Sequence, residues 1–213
     1  MSVATDQLPL RPVARAFFAR PTLDVARDLI GCLLVHDLPE GTVVGSIVET
    51  EAYTDRDPGS HAFSGMTARN APMFEEPGNA YVYFTYGMHH CLNAVTEETG
   101  RAGAVLLRAV EPIAGLEHLR SRRPGRRDRD LARGPGRLTL AFGIGREHDR
   151  ADLTTGVLRI CTGERLPEAA LVRTARIGLA AAQQDGRRWR FAVKGSPWVS
   201  SGRSTTARGS RRS

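Results

Sequence analysis

The spacing of apolar residues changes along the chain, and each change predicts a different element. Between residues 23 and 34 apolar side chains recur at helical spacing, with Thr22 as a candidate N-cap, so a helix is expected to begin there. Residues 31–53 hold two apolar runs separated by LPEG, which predicts two strands and a turn. Residues 80–95 predict a hairpin, and residues 104–112 predict a short buried strand.

The second half of the chain continues with mixed elements. Residues 113–123 and 134–144 have helical spacing, whereas residues 156–163 have the pattern of a strand. Strands and helices follow no regular alternation, so the pattern favours an α+β fold around an antiparallel or mixed sheet.

The hairpin at residues 80–95 raises a question of register. Gly87 and Met88 are expected at the centre of a two-residue type II′ turn, because glycine suits the positive φ of the first central position. In an ideal hairpin of that kind, Tyr83 and Asn93 point to opposite faces. If both line one pocket, a bulge or a different register must intervene.

Length and composition are those of a globular protein. The 213 residues, 41% hydrophobic and 25% charged, suit one large domain or two small ones, without an 18-residue apolar run or a secretory signal. The three cysteines form no close pair, which favours reduced thiols in the cytoplasm or nucleus. The expected organisation is a flexible N-terminal arm, one folded domain and an arginine- and serine-rich flexible tail, over residues 1–12, 13–200 and 201–213.

An excess of positive charge favours polyanionic partners. The formal net charge is +7, and Lys194 is the only lysine, so nearly all the basic residues are arginine. Residues 120–137 hold eight arginines and residues 202–213 hold four more. A solvated charged loop and a disordered tail remain alternatives to phosphate binding for these two segments.

Metal and nucleotide sites have no sequence signature here. The six histidines form no HxxxH pair, and no set of cysteines and histidines has the spacing of a zinc site. No glycine-rich phosphate-binding fingerprint occurs. We therefore expect no metal, no cofactor and no nucleotide cofactor.

The candidate chemistry lies in the sequence IVETEAY. In an extended chain Glu49, Glu51 and Tyr53 line one face, and the apolar residues before them indicate a strand that comes out of the core. A surface strand with alternating charge is the simpler explanation of such a pair. Two carboxylates beside a ring in a buried strand instead predict a raised pKa, which suits a general base that takes a proton from water.

The four tyrosines of the chain, Tyr53, Tyr81, Tyr83 and Tyr86, all fall close to this acidic pair. Core aromatics are more often phenylalanine or tryptophan, since a buried hydroxyl needs a partner. A flat, hydrogen-bonding partner such as a nucleobase would explain clustered tyrosines. Together with the basic charge, this indicates an enzyme that acts on a base in nucleic acid.

Several motifs, in order, resemble those of the alkyladenine (3-methyladenine) DNA glycosylase family, which includes the mammalian enzyme. They are IVETEAY, ARNAPMFEEPGNAYVYFTYGMHHCLNAV, AVLLRAVEP, LARGPGRL and RFAVKGSPWVS, and they span roughly residues 22–200. The resemblance implies a single compact domain with a curved sheet, flanking helices and a protruding β-hairpin. It also implies a hydrolase that flips alkylated purines out of double-stranded DNA and starts base excision repair. We expect this enzyme to be a monomer. We expect it in the cytoplasm at the nucleoid, or in the nucleus of a eukaryote.

The same resemblance implies roles for residues at the reaction centre. Glu51 matches the carboxylate that activates the attacking water. Arg108 matches a residue beside that water, and the main-chain carbonyls of Arg108 and Val193 would hold it. Glu49 matches no assigned catalytic role.

Four further residues match the family's base pocket. Tyr53 and Tyr83 correspond to aromatic residues that stack on the extruded base, and His61 corresponds to a histidine that contacts the base or the sugar-phosphate. Asn93 corresponds to a residue that clashes with the amino group of guanine. Which lesions are preferred stays open at this stage.

Two residues match the part of the family that enters DNA. Tyr86, followed by Met88, corresponds to the wedge in the minor groove. His89 and His90 stand where the mammalian enzyme has bulky aromatics, which leaves the range of lesions open.

Two other functions are compatible with part of this pattern. A DNA-binding module without chemistry would use the arginines and tyrosines but would not need Glu51. An RNA-directed N-glycosyl hydrolase would use all of them. A lyase, by contrast, needs an amine to form a Schiff base, and with Lys194 as the only lysine we expect no lyase activity.

Overall fold

A computed structural model describes residues 8–85 and 87–201, except for the side chains of Ala181 and Gln184. The strands are β1 Leu33–Leu38, β2 Gly41–Thr54, β3 Ala80–Thr85, β4 His89–Val95, β5 Gly103–Ala114, β6 Leu158–Cys161, β7 Leu171–Thr174 and β8 Arg190–Val193. The helices are α1 Arg15–Phe18, α2 Thr22–Asp28, α3 Leu116–Arg122, α4 Pro135–Ala141 and α5 Ala181–Gln184.

All eight strands form one antiparallel sheet, and β2 is its longest member. The main path runs β3-β4-β5-β2-β1-β6, while β8 pairs with both β2 and β7. One edge of β2 is shared, because residues 41–46 pair with β1 and residues 49–51 pair with β8. The sheet curls into a half-barrel, which confirms the prediction of a single compact α+β domain with a curved sheet.

The core lies between the sheet and the short helices, and its packing fixes the position of the β3–β4 hairpin. Phe18, Leu29, Leu107 and Phe142 are among its fully buried side chains. Helix α4 packs against β4 through Gly136, where an added Cβ would lie 2.7 Å from the His89 ring. Only a residue without a side chain permits this approach.

Helix α2 is capped by a distant residue and not by a local one. The N-cap is Pro21, so the prediction that Thr22 is the N-cap was wrong, and Thr22 is the first residue of the helix. Its amide and its hydroxyl both donate to Oε1 of Glu97, each at 2.7 Å. The carboxylate of Glu97, a residue distant in the sequence, therefore caps the helix in place of a neighbouring side chain.

The hairpin of β3 and β4 has a three-residue connection. Thr85 pairs with His89, so the prediction of a two-residue turn was wrong. The amide of Met88 donates to the Thr85 carbonyl at 3.2 Å, which closes the turn one residue earlier than expected. With this register Tyr83 and Asn93 share one face of the hairpin, and no bulge is needed.

The outer segments are partly described. Leu8 and Leu10 pack against a small apolar cluster that includes Val35 and Cys161. Residues 1–7 and 202–213, most of the expected arm and tail, lie outside the described residues, so those boundaries stay predictions. No helix in the described part of the chain is both long and apolar enough to span a bilayer.

Candidate active site

The two carboxylates of β2 meet one arginine at an irregularity in the sheet. Glu49 pairs with Ala109 and Thr50 with Leu107, so Arg108 of β5 is an extra residue in the pairing. Such a bulge re-aims the side chain of the extra residue. The Arg108 guanidinium consequently contacts both Glu49 and Glu51, which are fully buried.

Glu51 accepts three hydrogen bonds. Oε1 accepts one from the amide of Ile177 at 2.7 Å, and Oε2 accepts one from the Tyr53 hydroxyl at 2.8 Å and one from Nη1 of Arg108 at 3.1 Å. Burial nevertheless dominates and raises the pKa of Glu51, with a smaller push from the charge of Glu49. The result is a carboxylate that is a stronger base than an ordinary glutamate.

Glu49 has a different environment, although it lies on the same strand face. Its Oε1 accepts from Nε of Arg108 at 2.8 Å, Nε of Arg190 at 2.7 Å and Oγ of Ser200 at 2.8 Å, and its Oε2 accepts from the Ser200 amide at 2.6 Å. Burial pushes its pKa upward, but the two arginines and the Ser200 amide hold the pKa below its ordinary value. Glu49 is thus held ionised.

The two environments push the pKa values of these carboxylates apart. This separation is typical of sites where one acid exchanges protons and its neighbour supplies a fixed charge. Here the raised pKa belongs to Glu51 and the lowered pKa belongs to Glu49.

A pocket of about 250 Å³ opens in front of this pair. Its lining comes from β2, β3, β4, β5, the connection after β2 and the segment 177–179. It includes Tyr53, His61, Tyr81, Tyr83, Asn93 and Arg108. Glu51 lies directly behind Tyr53 and Arg108, to which it is hydrogen-bonded. Of the seven residues predicted for the reaction centre and base pocket, five therefore line the pocket, Glu51 lies at its floor, and Val193 is not part of the lining.

One wall of the pocket is a cluster of aromatic rings. The His61 ring lies edge-on to Tyr83 at 4.7 Å between centroids, and Tyr83 lies 5.2 Å from Tyr81. Nδ1 of His61 lies 3.0 Å from the Tyr81 hydroxyl. Desolvation raises the pKa of Tyr81 to about 12 and lowers the pKa of His61, so these rings are neutral at physiological pH.

Tyr53 also lines the pocket, and an arginine lies against its ring. The Arg176 guanidinium lies 4.5 Å from the Tyr53 ring centroid, within the range of a cation–π contact. Nη2 of Arg176 bonds to Oδ1 of Asp57 at 2.7 Å, and Nη1 donates to the Ala52 carbonyl at 2.9 Å. The ring is therefore fixed from behind and by its hydroxyl bond to Glu51.

Asn93 is buried in the pocket with a fixed orientation. Its Nδ2 donates to the Tyr81 carbonyl at 2.9 Å. The amide plane is held by this bond across the hairpin, so the side chain narrows the pocket at a defined place.

Val193 is the predicted site residue that the structure leaves apart. It lies half-buried on β8, and its carbonyl accepts a bond from the Ser196 amide at 3.4 Å. Among the described residues it is not part of the pocket lining. Lys194 beside it is exposed.

Exposed apolar side chains lie on the connections that follow the pocket-lining residues His61 and Thr85, and we call these connections the rim. Met88 at the hairpin tip is 68% exposed, and Phe63 and Met66 in the loop after His61 are 53% and 61% exposed. That loop is ordered by Asn70, whose Nδ2 donates to the carbonyls of His61 and Gly65 at 2.7 and 2.9 Å. Tyr86, the predicted wedge, lies outside the described residues.

Arginines near the pocket fall into two groups. Arg69 is exposed, and its guanidinium lies 5.6 Å from the Tyr83 ring centroid at the rim. In the segment 120–137 several arginines contact carboxylates of the same segment, as Arg120 does Asp128 at 2.8 Å. Part of that segment's positive charge is thus compensated locally.

Sequence reasoning missed four contributors to the floor. Ile177 acts through its amide, Arg190 and Ser200 bind Glu49 from the C-terminal part of the chain, and Arg176 braces Tyr53. An arginine in a chain rich in arginine gives no local signal, and a backbone donor gives none at all. In the described part of the chain, no cluster of three or more metal-binding side chains occurs.

The comparisons with known proteins agree with one another. The chain matches a family model described as methylpurine-DNA glycosylase over residues 16–197. It is 49% identical to a protein of Methanocella arvoryzae over 197 residues, 91% of this chain and 96% of the relative. It is 46% identical to a protein of Streptomyces avermitilis over 215 residues, 98% of each. Both relatives are named, provisionally, as 3-methyladenine DNA glycosylases.

Proposed function

We propose that this chain, which belongs to the methylpurine-DNA glycosylase family, binds an alkylated purine flipped out of duplex DNA and hydrolyses its N-glycosidic bond with water activated by Glu51. The observation that carries the proposal is the buried Glu51, with its raised pKa, at the floor of an aromatic pocket. The chain is a DNA glycosylase by family, so the proposal concerns how it works and on which bases.

Glu51 is the general base of the reaction. Its Oε2 faces Tyr53 and Arg108, the two pocket-lining side chains bonded to it, so this oxygen is placed to take a proton from water at the floor. The water oxygen forms a bond to the anomeric carbon as the N-glycosidic bond breaks. The bonding electrons leave with the purine, which loses its positive charge, and the water proton goes to Glu51.

The base is bound between rings. Tyr53, braced by Arg176, offers one flat face, and the group of His61 and Tyr83 offers the other. Alkylation at N3 or N7 makes a purine cationic and electron-poor, which favours stacking against tyrosine. Asn93 restricts the space at the edge of the base and disfavours the amino group of guanine.

The rim contacts the DNA around the extruded nucleotide. Tyr86 and Met88 are the wedge that fills the gap in the stack, as apolar wedges do in minor-groove complexes. Phe63 and Met66 form a second apolar contact on the other side of His61. Exposed apolar side chains on an ordered loop are typical of an interaction surface.

Positive charge supplies the part of binding that does not depend on sequence. Arg69 is placed at the rim, where the phosphates of an extruded nucleotide would pass. Damaged bases cost least to unstack, which contributes to selectivity. We expect the enzyme to act as a monomer on chromosomal DNA, at the nucleoid or in a nucleus.

The reaction uses no amine of the protein. Lys194, the only lysine, is exposed on the segment after β8, and its amide donates to the Ala170 carbonyl. We therefore expect no covalent complex with DNA after borohydride treatment and no strand cleavage without added base. A trapped complex would overturn this part of the proposal.

The proposal is tested by the release of free base from duplexes that each carry one defined lesion. The expected result is release of 3-methyladenine or another alkylated purine as the free base, with an intact abasic strand left behind. Matched RNA strands, which carry a 2′-hydroxyl, should give much less release. Binding without release would favour a DNA-binding module, and preferred release from RNA would favour an RNA-directed hydrolase.

A further inference from the structure

We propose that Glu49 is a positioning residue of this reaction, which holds and neutralises Arg108 so that Glu51 stays a strong base. The inference rests on the proposed role of Glu51 as general base. It assigns a function to the second carboxylate, which has no role in the chemistry itself.

The geometry of Arg108 is unequal between the two acids. Its Nε donates to Glu49 at 2.8 Å, and its Nη1 donates to Glu51 at the longer distance of 3.1 Å. Its Nη2 donates to Oγ of Ser200 at 3.3 Å. Two of the three guanidinium nitrogens therefore bind Glu49 and Ser200, and Glu51 accepts a hydrogen bond from Nη1 alone.

Glu49 itself is held in place by groups other than Arg108. Arg190 of β8 and both the amide and the hydroxyl of Ser200 bind it, at 2.6 to 2.8 Å. Because these bonds hold Glu49 in place, Glu49 can fix the position of Arg108 and does not itself move with the Arg108 side chain. A carboxylate held by one flexible partner could not do so.

The charges around Glu51 leave Arg108 as the cation that decides its basicity. On its own strand Glu51 faces Tyr53 and Glu49, and from the other elements it faces Arg108, Arg176, Tyr83 and Cys91. Asp57 compensates Arg176, which lies behind the Tyr53 ring. Arg108 is the cation hydrogen-bonded to Glu51, and Glu49 is the anion that compensates it.

Compensation matters because the reaction develops positive charge at the sugar. An uncompensated guanidinium near the anomeric carbon would oppose that charge, and it would also bind Glu51 more tightly and lower its pKa. In Glu49→Gln both effects appear together. The carboxylate of Glu51 then loses its proton at lower pH, so the acid limb of the pH–rate profile moves to lower pH while the rate on the plateau falls.

The experiment is single-turnover excision of one lesion from a duplex, measured from acidic to neutral pH. For Glu49→Gln we expect an acid limb at lower pH than in the wild type and a plateau about tenfold lower, well short of the roughly 10²–10⁴-fold typical of losing a general base. The matched control is Glu97→Gln, which alters a buried carboxylate that is bonded to Thr22 of helix α2 and not to Arg108. Its acid limb should coincide with that of the wild type.

A second pair of variants tests whether Glu49 acts through Arg108. If Glu49→Gln alone fails to fold, Arg108→Met/Glu49→Gln is compared with Arg108→Met, and a limb that moves strongly without the cation overturns the proposal. In Arg108→Met the cation is absent, so adding Glu49→Gln should move the acid limb less than it does in the wild type. If Glu49→Gln moves the limb equally with and without Arg108, or if Glu97→Gln moves it as far, the proposal is wrong. An unmoved limb in Glu49→Gln would also overturn it.

The two proposals fail in different ways. If the proposed function is wrong, the wild type releases no base and no limb exists to compare. If only the role of Glu49 is wrong, the wild type excises the base and the limb of Glu49→Gln stays in place.

Discussion

The floor and the rim of the pocket are built in opposite ways. At the floor, Glu49 and Glu51 lie on a central strand of the sheet, fully buried and bonded on all sides. At the rim, Phe63, Met66 and Met88 lie on connections between elements and expose more than half of their side-chain surface. The floor holds charged groups in fixed positions, whereas the rim exposes apolar surface to solvent.

Under the proposed function, this contrast separates catalysis from recognition. A reaction that depends on one proton needs groups held within a few tenths of an ångström, which a strand with buried partners supplies. Binding to a long, uniform duplex depends more on the area of the contact surface than on the exact position of each side chain. Variants at the floor should therefore change the rate of the chemical step, and variants at the rim should change affinity for DNA.

The largest effect is expected at the floor. Glu51→Gln keeps the shape of the side chain but cannot take a proton, so the single-turnover rate should fall by about 10²–10⁴-fold. Binding of lesion-containing duplex should change little. Glu97→Gln, which alters a buried carboxylate at helix α2, is the matched control and should retain excision if it folds. If both variants lose the same activity, Glu51 has only a structural role.

The next effect is expected at the hairpin tip. If the Tyr86 ring replaces the stacking of the extruded base, Tyr86→Ala should weaken the flipped-out complex by roughly 10- to 100-fold, since base–aromatic stacking contributes about 1–3 kcal/mol. Fluorescence of a 2-aminopurine or ethenoadenine reporter measures it. Tyr86→Phe should retain most of the affinity. Equal losses on duplex and single-stranded DNA would argue against a wedge.

A smaller loss is expected in the loop after His61. Covering a half-exposed phenylalanine contributes about 1 kcal/mol, so Phe63→Ala should weaken duplex binding by about fivefold. The rate of the chemical step at saturating enzyme should not change. Val157→Ala, at a comparably exposed residue next to β6, is the control. A loss of rate without a loss of affinity would place Phe63 with the floor and not with the rim.

The smallest effect concerns charge at the rim. If Arg69 binds one phosphate, Arg69→Gln should reduce the slope of log affinity against log salt concentration by about 0.9. Arg165→Gln, at another exposed arginine that is not part of the pocket, should leave the slope unchanged. Titrations at several salt concentrations measure both. An unchanged slope for Arg69→Gln would remove the arginine from the DNA contact.

Much of the floor could be predicted from alternation along one strand. The period of two placed Glu49, Glu51 and Tyr53 on one face, and the structure has them there. The bulge that turns Arg108 toward both acids could not be predicted, because it depends on how two strands pair and not on either sequence alone. The amide of Ile177 was missed because every residue carries one.

The fold likewise has parts that could be predicted from the sequence and parts that could not. The long apolar runs of β2 and β5 were found. Of the three strands of four residues, β6 was found but β7 and β8 were not, since so few positions establish a period only weakly. The hairpin was predicted, but its register was wrong, because the choice between a two- and a three-residue connection depends on packing against α4 and β5. The N-cap of α2 failed for the same reason, since Glu97 comes from elsewhere in the chain.

The bond between Ser200 and Glu49 has a consequence for the order of folding. It joins residues 151 positions apart, and that between Arg190 and Glu49 joins residues 141 apart. Contacts of such long separation close the largest loops, so they are costly to form early. We expect the sheet around β2 and β5 to form first and the segment from β8 to Ser200 to dock afterwards. A partly folded molecule then has no shielded, basic Glu51, and hydrolytic activity appears only in chains that have finished folding.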